Sequence, residues 1–281
     1  MEIFDSTALA KRRLRPLQAQ GLRVGLVPTM GALHDGHLSL IAEAKRRAEI
    51  VVASIFVNPM QFGPNEDFAR YPRDLEGDAK KLEGAGCDAV FAPSVADIYP
   101  EGFQTAVEVS GVTQGLCGAV RPGHFRGVTT VVLKLFQIVR PDVAVFGEKD
   151  YQQLTVLRTM ARDLALDVEI LGAPLLREAD GLAMSSRNAY LSPQERGQAL
   201  ALSKGLEAAA ALYAQGEREG SALLGQARRA LDEAGLSPEY LELRSAVDLR
   251  PLSRADQSCV ILVAVRVGKT RLIDNWILAR P

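Results

Sequence analysis

Pro28-Thr29-Met30-Gly31-Ala32-Leu33-His34-Asp35-Gly36-His37 joins an apolar run, Val24-Gly25-Leu26-Val27, to Leu38-Ser39-Leu40-Ile41-Ala42-Glu43-Ala44. The first flank has the composition of a buried strand and the second that of a helix. The glycine-bearing join therefore sits at a strand's carboxyl end and a helix N-terminus. Such a terminus carries unpaired N–H groups and about half an elementary positive charge, which together favour a phosphate. His34 and His37, three residues apart, add imidazole N–H donors to the same face. The stretch reads as a nucleotide site. A His-x-x-His pair also suits half a zinc site, but His124 is the only other histidine, and Cys87, Cys117 and Cys259 lack Cys-x-x-Cys spacing. A loop with two solvated histidines is the remaining alternative for this stretch alone.

Outward from the join, residues 1–175 alternate β-rich runs with helical patterns: 23–27, 36–47, 50–57, 73–83, 89–92, 128–139 and 143–146. This alternation predicts a parallel sheet with helices on both faces. Within 128–139, Val128, Val131, Val132, Leu135, Phe136 and Val139 recur at helical spacing, which assigns them to the core rather than to a ligand. Pro141 stops that helix before the next strand. A helix over 151–164 and a strand over 168–171 complete the region.

The character changes near residue 175. Ser192-Pro193-Gln194-Glu195 has capping-box spacing and opens an Ala/Leu-rich helix running through Tyr213. A second helix over about 221–234 follows, and 240–244, 258–266 and 272–278 read as strands of a small antiparallel sheet. The expected organisation is an α/β chain, with a Rossmann-like parallel-sheet domain over 1–175 and a smaller C-terminal α+β domain over 176–281. Gly268-Lys269-Thr270 ends like a P-loop, but the glycine required at 263 is Val263, so it reads as a hairpin turn. No Gly-x-Gly-x-x-Gly occurs, which leaves a nicotinamide cofactor little support.

Composition narrows the partners. Thirty-three basic against thirty-four acidic residues give a formal charge of −1, with no electrostatic footprint for long nucleic acid, so a small-molecule partner is expected. The longest apolar run, 259–265, is too short to cross a bilayer. Met1-Glu2-Ile3-Phe4-Asp5 carries acids where a secretory signal has basic residues, and no apolar segment follows Lys11-Arg12-Arg13. A cytoplasmic enzyme is the expectation, and three dispersed cysteines suit a reducing compartment.

Two further segments resemble sites. Phe146-Gly147-Glu148-Lys149-Asp150-Tyr151-Gln152-Gln153 again ends a predicted strand and begins a helix, where ligands of open parallel sheets bind. Lys149 brings a mobile cation to a phosphate, and Asp150 either accepts from a ribose hydroxyl or caps the helix. Ala183-Met184-Ser185-Ser186-Arg187-Asn188, after Asp180-Gly181, sets two hydroxyls beside a guanidinium, a set suited to phosphate oxygens.

With these segments in view the chain resembles a known family. His34-Asp35-Gly36-His37 is similar to the His-x-Gly-His signature of the nucleotidyltransferase superfamily, and Met184-Ser185-Ser186-Arg187 resembles its second, mobile signature loop. Within that superfamily, four segments resemble the pantothenate synthetase family: Pro28-Thr29-Met30-Gly31-Ala32-Leu33-His34, Phe56-Val57-Asn58-Pro59-Met60-Gln61-Phe62, Gly147 through Gln153, and Arg177 through Asn188. The likeness runs from about residue 20 to 190 and continues in size and layout to the end. One departure is that the superfamily's mobile loop often carries two lysines, where Ser186 and Arg187 stand here.

The resemblance implies an ATP-dependent ligase that condenses pantoate with β-alanine to pantothenate, AMP and pyrophosphate through a pantoyl adenylate. It implies ATP contacts from Met30, Gly31, Ala32, Leu33, His34, Asp35, Gly36 and His37, from Gly147, Glu148, Lys149 and Asp150, from Leu176, and from Met184, Ser185, Ser186 and Arg187. His34, His37, Lys149, Ser185, Ser186 and Arg187 are the implied catalytic donors, set against the charge that grows on departing pyrophosphate. Asn58, Gln61 and Gln153 are the implied substrate contacts, neutral amides that hold oxygens more gently than a bidentate arginine. Shielding the adenylate from water calls for a closing loop, for which 185–188 and Arg121-Pro122-Gly123-His124-Phe125-Arg126-Gly127 are the candidates. Mg²⁺ is implied by the nucleotide, with no carboxylate cluster to name as its ligands. A homodimer is implied as well. Two readings compete: another nucleotidyltransferase, which leaves Gln61 and Gln153 unexplained, and a silent RNA-binding relative of the aminoacyl-tRNA synthetases, against which the near-zero charge counts.

Overall fold

Residues 1–64 and 66–280 are described by the computed structural model of the chain. Its centre is the run read first. Strand β2 (Val24–Thr29) pairs in parallel with β3 (Ile50–Ile55) on one side and β5 (Val143–Gly147) on the other. Both of its faces are covered, as a continuous apolar run in a parallel sheet requires. The full order is β1-β4-β3-β2-β5-β6, with β1 (Glu2–Phe4), β4 (Ala89–Phe91) and β6 (Glu169–Ala173), and every pairing is parallel.

The chain leaves β2 toward β3 and later returns to β5 on its other flank, so the order reverses between β2 and β5. At such a switch point a crevice opens beyond the carboxyl ends. Pairing of β2 with β5 ends at Leu26, two residues before Pro28, which has no N–H to offer a ladder. Pairing with β3 continues to Thr29. The two strands therefore separate where the ligand crevice begins.

Helices α1 (Thr7–Ala19), α2 (Asp35–Lys45), α3 (Leu75–Gly84), α4 (Val95–Ile98), α5 (Leu116–Val120), α6 (His124–Val139) and α7 (Tyr151–Asp163) surround this sheet. β1 and α1 are absent from the sequence reading. β1 has only three residues, and α1 is basic, contains Pro16 and buries only Ala10 and Leu14, so its apolar stripe is too thin to show. Its place is held by side chains: Arg15 and Gln18 donate to the carbonyls of Ile138 and Val139 at the end of α6. α6 itself begins at His124, one turn earlier than the apolar spacing alone indicates.

The C-terminal part packs α8 (Pro193–Ala214) and α9 (Gly220–Glu233) on an antiparallel sheet of β7 (Pro238–Ser245), β8 (Cys259–Val267) and β9 (Thr270–Ala279). The Ser192–Glu195 capping box is present in both directions, at 3.2 and 2.9 Å. Gly268-Lys269 forms the tight β8–β9 connection, with Gly268 at φ +56°, so the P-loop-like letters are a hairpin turn. Leu116 and Tyr151 pack with Ala246, Leu249, Val260 and Leu262, which seats this sheet against the parallel-sheet core. Among the described residues no helix is long and apolar enough to cross a membrane.

Candidate active site

A cavity opens at the carboxyl ends of β2 and β5 and is lined from all three sequence segments. Met30, His34, Gly36 and His37 come from the first, Gly147, Lys149, Asp150 and Gln153 from the second, and Leu176, Met184, Ser185, Ser186 and Arg187 from the third. Asn58 and Gln61 border it from the turn after β3. The segments are also bonded to one another, since the Ser186 hydroxyl donates to the Ala32 carbonyl at 2.9 Å.

The loop before α2 is shaped by a partner distant in sequence. Asp78 on α3 is 2% exposed, and its two oxygens accept from the N–H groups of Ala32 and Leu33 at 2.7 and 2.8 Å. Gly31 and Ala32 take φ of +82° and +52° to allow this, and a Cβ on Gly31 would sit 2.9 Å from Asp78 Oδ2. The Ala32 and Leu33 N–H groups are thus taken up by Asp78, and the Leu33 side chain lies in the core. Gly31, Ala32 and Leu33 shape the site without lining it, and Asp35 is exposed outside it.

His34 and His37 stack with ring centroids 4.1 Å apart. Gly36 makes room for this arrangement, because a Cβ there would lie 2.8 Å from His34 Cε1. The His34 backbone N–H donates to His37 Nδ1 at 3.3 Å, so Nδ1 is the acceptor nitrogen and Nε2 carries the proton of neutral His37. Burial pushes His34 down to about 4, helped by the charge of Lys149. Burial also takes His37 to about 3, with His34 and Lys149 adding to the shift. Both rings are neutral at pH 7 and carry one N–H each, and His34 Nδ1 has no hydrogen-bond partner among the described residues.

Lys149 makes no side-chain hydrogen bond or ion pair among the described residues. Its backbone is gripped from β9: Asn275 Nδ2 donates to the carbonyls of Glu148 and Lys149 at 2.8 and 2.9 Å. Glu148 does not line the cavity; its carboxylate is held in a bidentate pair by Arg280 at 2.7 and 3.0 Å. Asp150 occupies the cap position of α7 without a side-chain cap bond and faces the cavity, which removes the capping alternative. The adjacent glutamines divide the same way. Gln152 is buried on the Cys117 N–H and the Val112 carbonyl, while Gln153 borders the cavity.

Both arginines of the wall carry carboxylate partners. Arg187 pairs with Asp67 at 3.0 and 2.8 Å, and Arg121 pairs with Glu66 through two bonds of 2.6 Å. His124 donates from Nδ1 to the Gln61 carbonyl at 2.8 Å and faces the Arg121 guanidinium across Nε2 at 3.0 Å. Burial, with Arg121 adding, lowers it to about 4. Asn58 is 1% exposed and both ends of its amide are bonded within the protein, so it supports the wall instead of meeting a ligand.

Several lining residues were not among the site residues expected from the sequence. Phe62 and Tyr71 come from the segment after Gln61, and Val128, Val131, Val132 and Leu135 serve both core and cavity wall. The helical spacing that put these four in the core holds no sign of which end faces a crevice. Among the described residues no three metal-ligating side chains gather, and Asp150 is the one carboxylate lining the main cavity.

A parallel sheet with a switch-point crevice, walled by imidazoles, a lysine and a hydroxyl–guanidinium turn, defines an α/β nucleotide-dependent enzyme. The chain belongs to the pantoate–β-alanine ligase family, whose description matches residues 2–277. Pantothenate synthetase from Myxococcus xanthus is 59% identical over 276 residues, covering 97% of this chain and 94% of that one. The Geobacter sulfurreducens enzyme of that name is 54% identical, covering 99% of each chain. Among solved structures, pantothenate synthetase from Thermus thermophilus is similar with a TM-score of 0.95 at 47% identity, covering 99% of this chain and 100% of that one. Pantoate–β-alanine ligase from Francisella tularensis, complexed with β-γ ATP and β-alanine, is similar with a TM-score of 0.83 at 35% identity, covering 99% and 98%.

Proposed function

We propose that this chain condenses pantoate with β-alanine at the cost of ATP, forming pantothenate, AMP and pyrophosphate. Family membership supports the reaction, and one observation supports the site: His37, Lys149 and the Ser185–Arg187 turn line one cavity where β2 and β5 part, together with the neutral amides of Gln61 and Gln153. In the first step a pantoate carboxylate oxygen attacks the α-phosphorus, and the bond to the pyrophosphate oxygen breaks. Charge develops on that leaving group. Neutral His37 donates from Nε2, Lys149 supplies a full charge, and the Ser185 hydroxyl, which only accepts within the turn, adds a donor. Losing one such donor costs about 3–4 kcal/mol.

In the second step the free amine of β-alanine attacks the acyl carbon, the bond to AMP breaks, and the ammonium formed gives up a proton. A histidine at about 3 is a poor proton carrier near neutrality, so His37 acts as a hydrogen-bond donor. Mg²⁺ carried in on the nucleotide would neutralise phosphate charge, and Asp150, the one carboxylate lining the cavity among the described residues, would face it or its waters. Residues 1–175 form the ATP- and pantoate-binding unit and 176–281 the cover over the nucleotide, in a cytoplasmic homodimer. The grip of Asn275 on the Lys149 segment supports the covering role.

Pyrophosphate exchange into ATP, with pantoate present and β-alanine absent, tests this reading. Pantoate-dependent exchange is expected; folded, ATP-binding protein that shows none would exclude an adenylate formed before β-alanine binds.

A further inference from the structure

The Asn58 amide cannot turn over. Its Oδ1 accepts from the Met60 backbone N–H at 3.2 Å, and its Nδ2 donates to the Gly127 carbonyl at 3.1 Å. A backbone N–H only donates and a carbonyl only accepts, so these two bonds decide which end of the amide is oxygen. The Tyr99 hydroxyl donates to the same Oδ1 at 2.8 Å. Nδ2 is then what Asn58 offers to Gln61, whose Oε1 accepts from it at 3.0 Å. Gln61 must send its NH₂ group the other way, onto the Met30 thioether at 3.1 Å in the cavity wall. A thioether is a weak acceptor, so most of this donor capacity is left unused.

The turn that carries Gln61 is itself held. Gly127 on α6 lies so close that a Cβ there would sit 2.3 Å from the Met60 carbonyl oxygen. From the same end of α6, His124 donates to the Gln61 carbonyl at 2.8 Å, joined by Arg121 at 3.2 Å. With the backbone held at these points, which end of the amide faces the cavity is left to its side-chain partners, Asn58 and Met30.

We propose that Tyr99 and Asn58 are positioning residues that hold the Gln61 amide with its donor end toward the cavity, so that this wall selects an acid presenting an acceptor oxygen. Tyr99 stands behind the wall, packed against Phe56 and Phe103, and acts through two amides in series. An amide turned the other way would set oxygen against oxygen, the mismatch by which polar sites reject a wrong partner. The inference rests on pantoate being the acid that enters.

The test is a set of double-mutant cycles read as KM for pantoate and KM for ATP. Tyr99→Phe is expected to raise KM for pantoate about threefold and Asn58→Ala about tenfold, with KM for ATP unmoved. Both effects should vanish in a Gln61→Ala background, because the residues act through Gln61. Losses that persist undiminished in that background, or that fall equally on ATP, would overturn the proposal. Tyr99→Phe keeps the ring contacts and so keeps the test valid if Asn58→Ala folds poorly. A wild-type chain without pantoate turnover would sink the functional reading and this inference with it; additive losses in an active enzyme would sink this inference alone.

Discussion

His37, which lines the cavity, accepts the backbone N–H of His34 on Nδ1, so the ring's one N–H donor is at Nε2. A side chain that keeps a donor without titrating should then serve nearly as well. His37→Gln is expected to retain adenylation within about tenfold, and His37→Ala to lose about a hundredfold or more. The pH profile of pyrophosphate exchange should be the same for wild type and His37→Gln; a limb lost in the variant would show that His37 moves a proton.

Neutral, half-buried histidines make the fold sensitive to mild acid. His34, His37 and His124 sit at about 4, 3 and 4 in the folded chain, below the ordinary 6.5. Between those values the unfolded chain binds more protons than the folded one, so stability falls as pH drops through 6.5. The paired carboxylates Glu66 and Asp67, which are held below their ordinary values, contribute only at lower pH. Tm is therefore expected to decline from about pH 6.5 to about pH 4.5, and His124→Gln should flatten that slope. An unchanged slope would remove His124 from the account.

Asn275 reaches from β9 to the carbonyls of Glu148 and Lys149, and its removal takes a donor from both. Asn275→Ala is expected to cost about 1–3 kcal/mol of stability and to lower kcat for adenylation about tenfold. Thermal unfolding and pyrophosphate exchange on the same preparation check both. Loss of stability with full activity would show that Lys149 finds its place without β9.

Gly36 gives way to the His34 ring, with 2.8 Å between Cε1 and a Cβ placed there. Its φ is ordinary, so alanine strains no backbone. Gly36→Ala should displace the ring and lower kcat/KM for ATP about tenfold or more, while Tm moves by only a few degrees. Wild-type kinetics would mean that the ring position is immaterial.

The parallel sheet was legible because its signals are local: apolar runs such as Val24–Thr29, with a helix start or a glycine at each end. The three cavity segments were legible for the same reason. What escaped depends on partners far along the chain. Nothing near Ala32 announces that Asp78 takes its N–H, and nothing beside Glu148 announces Arg280. Asn58 has the letters of a ligand contact, and only Tyr99 and Gly127, distant in sequence, reveal that its bonds are already made. α1 was silent because polar side chains, rather than an apolar face, do much of its docking.

Arg121 and Arg187 already hold adjacent carboxylates, Glu66 and Asp67. The cavity thus carries its own counter-ions. A nucleotide that reaches these guanidiniums exchanges one anion for another and gains little from bare attraction, since the cost of two uncompensated cations was never present. The gentleness works in the other direction too: when pyrophosphate and AMP depart, the carboxylates are at hand to receive the arginines, and release need not strand a buried charge.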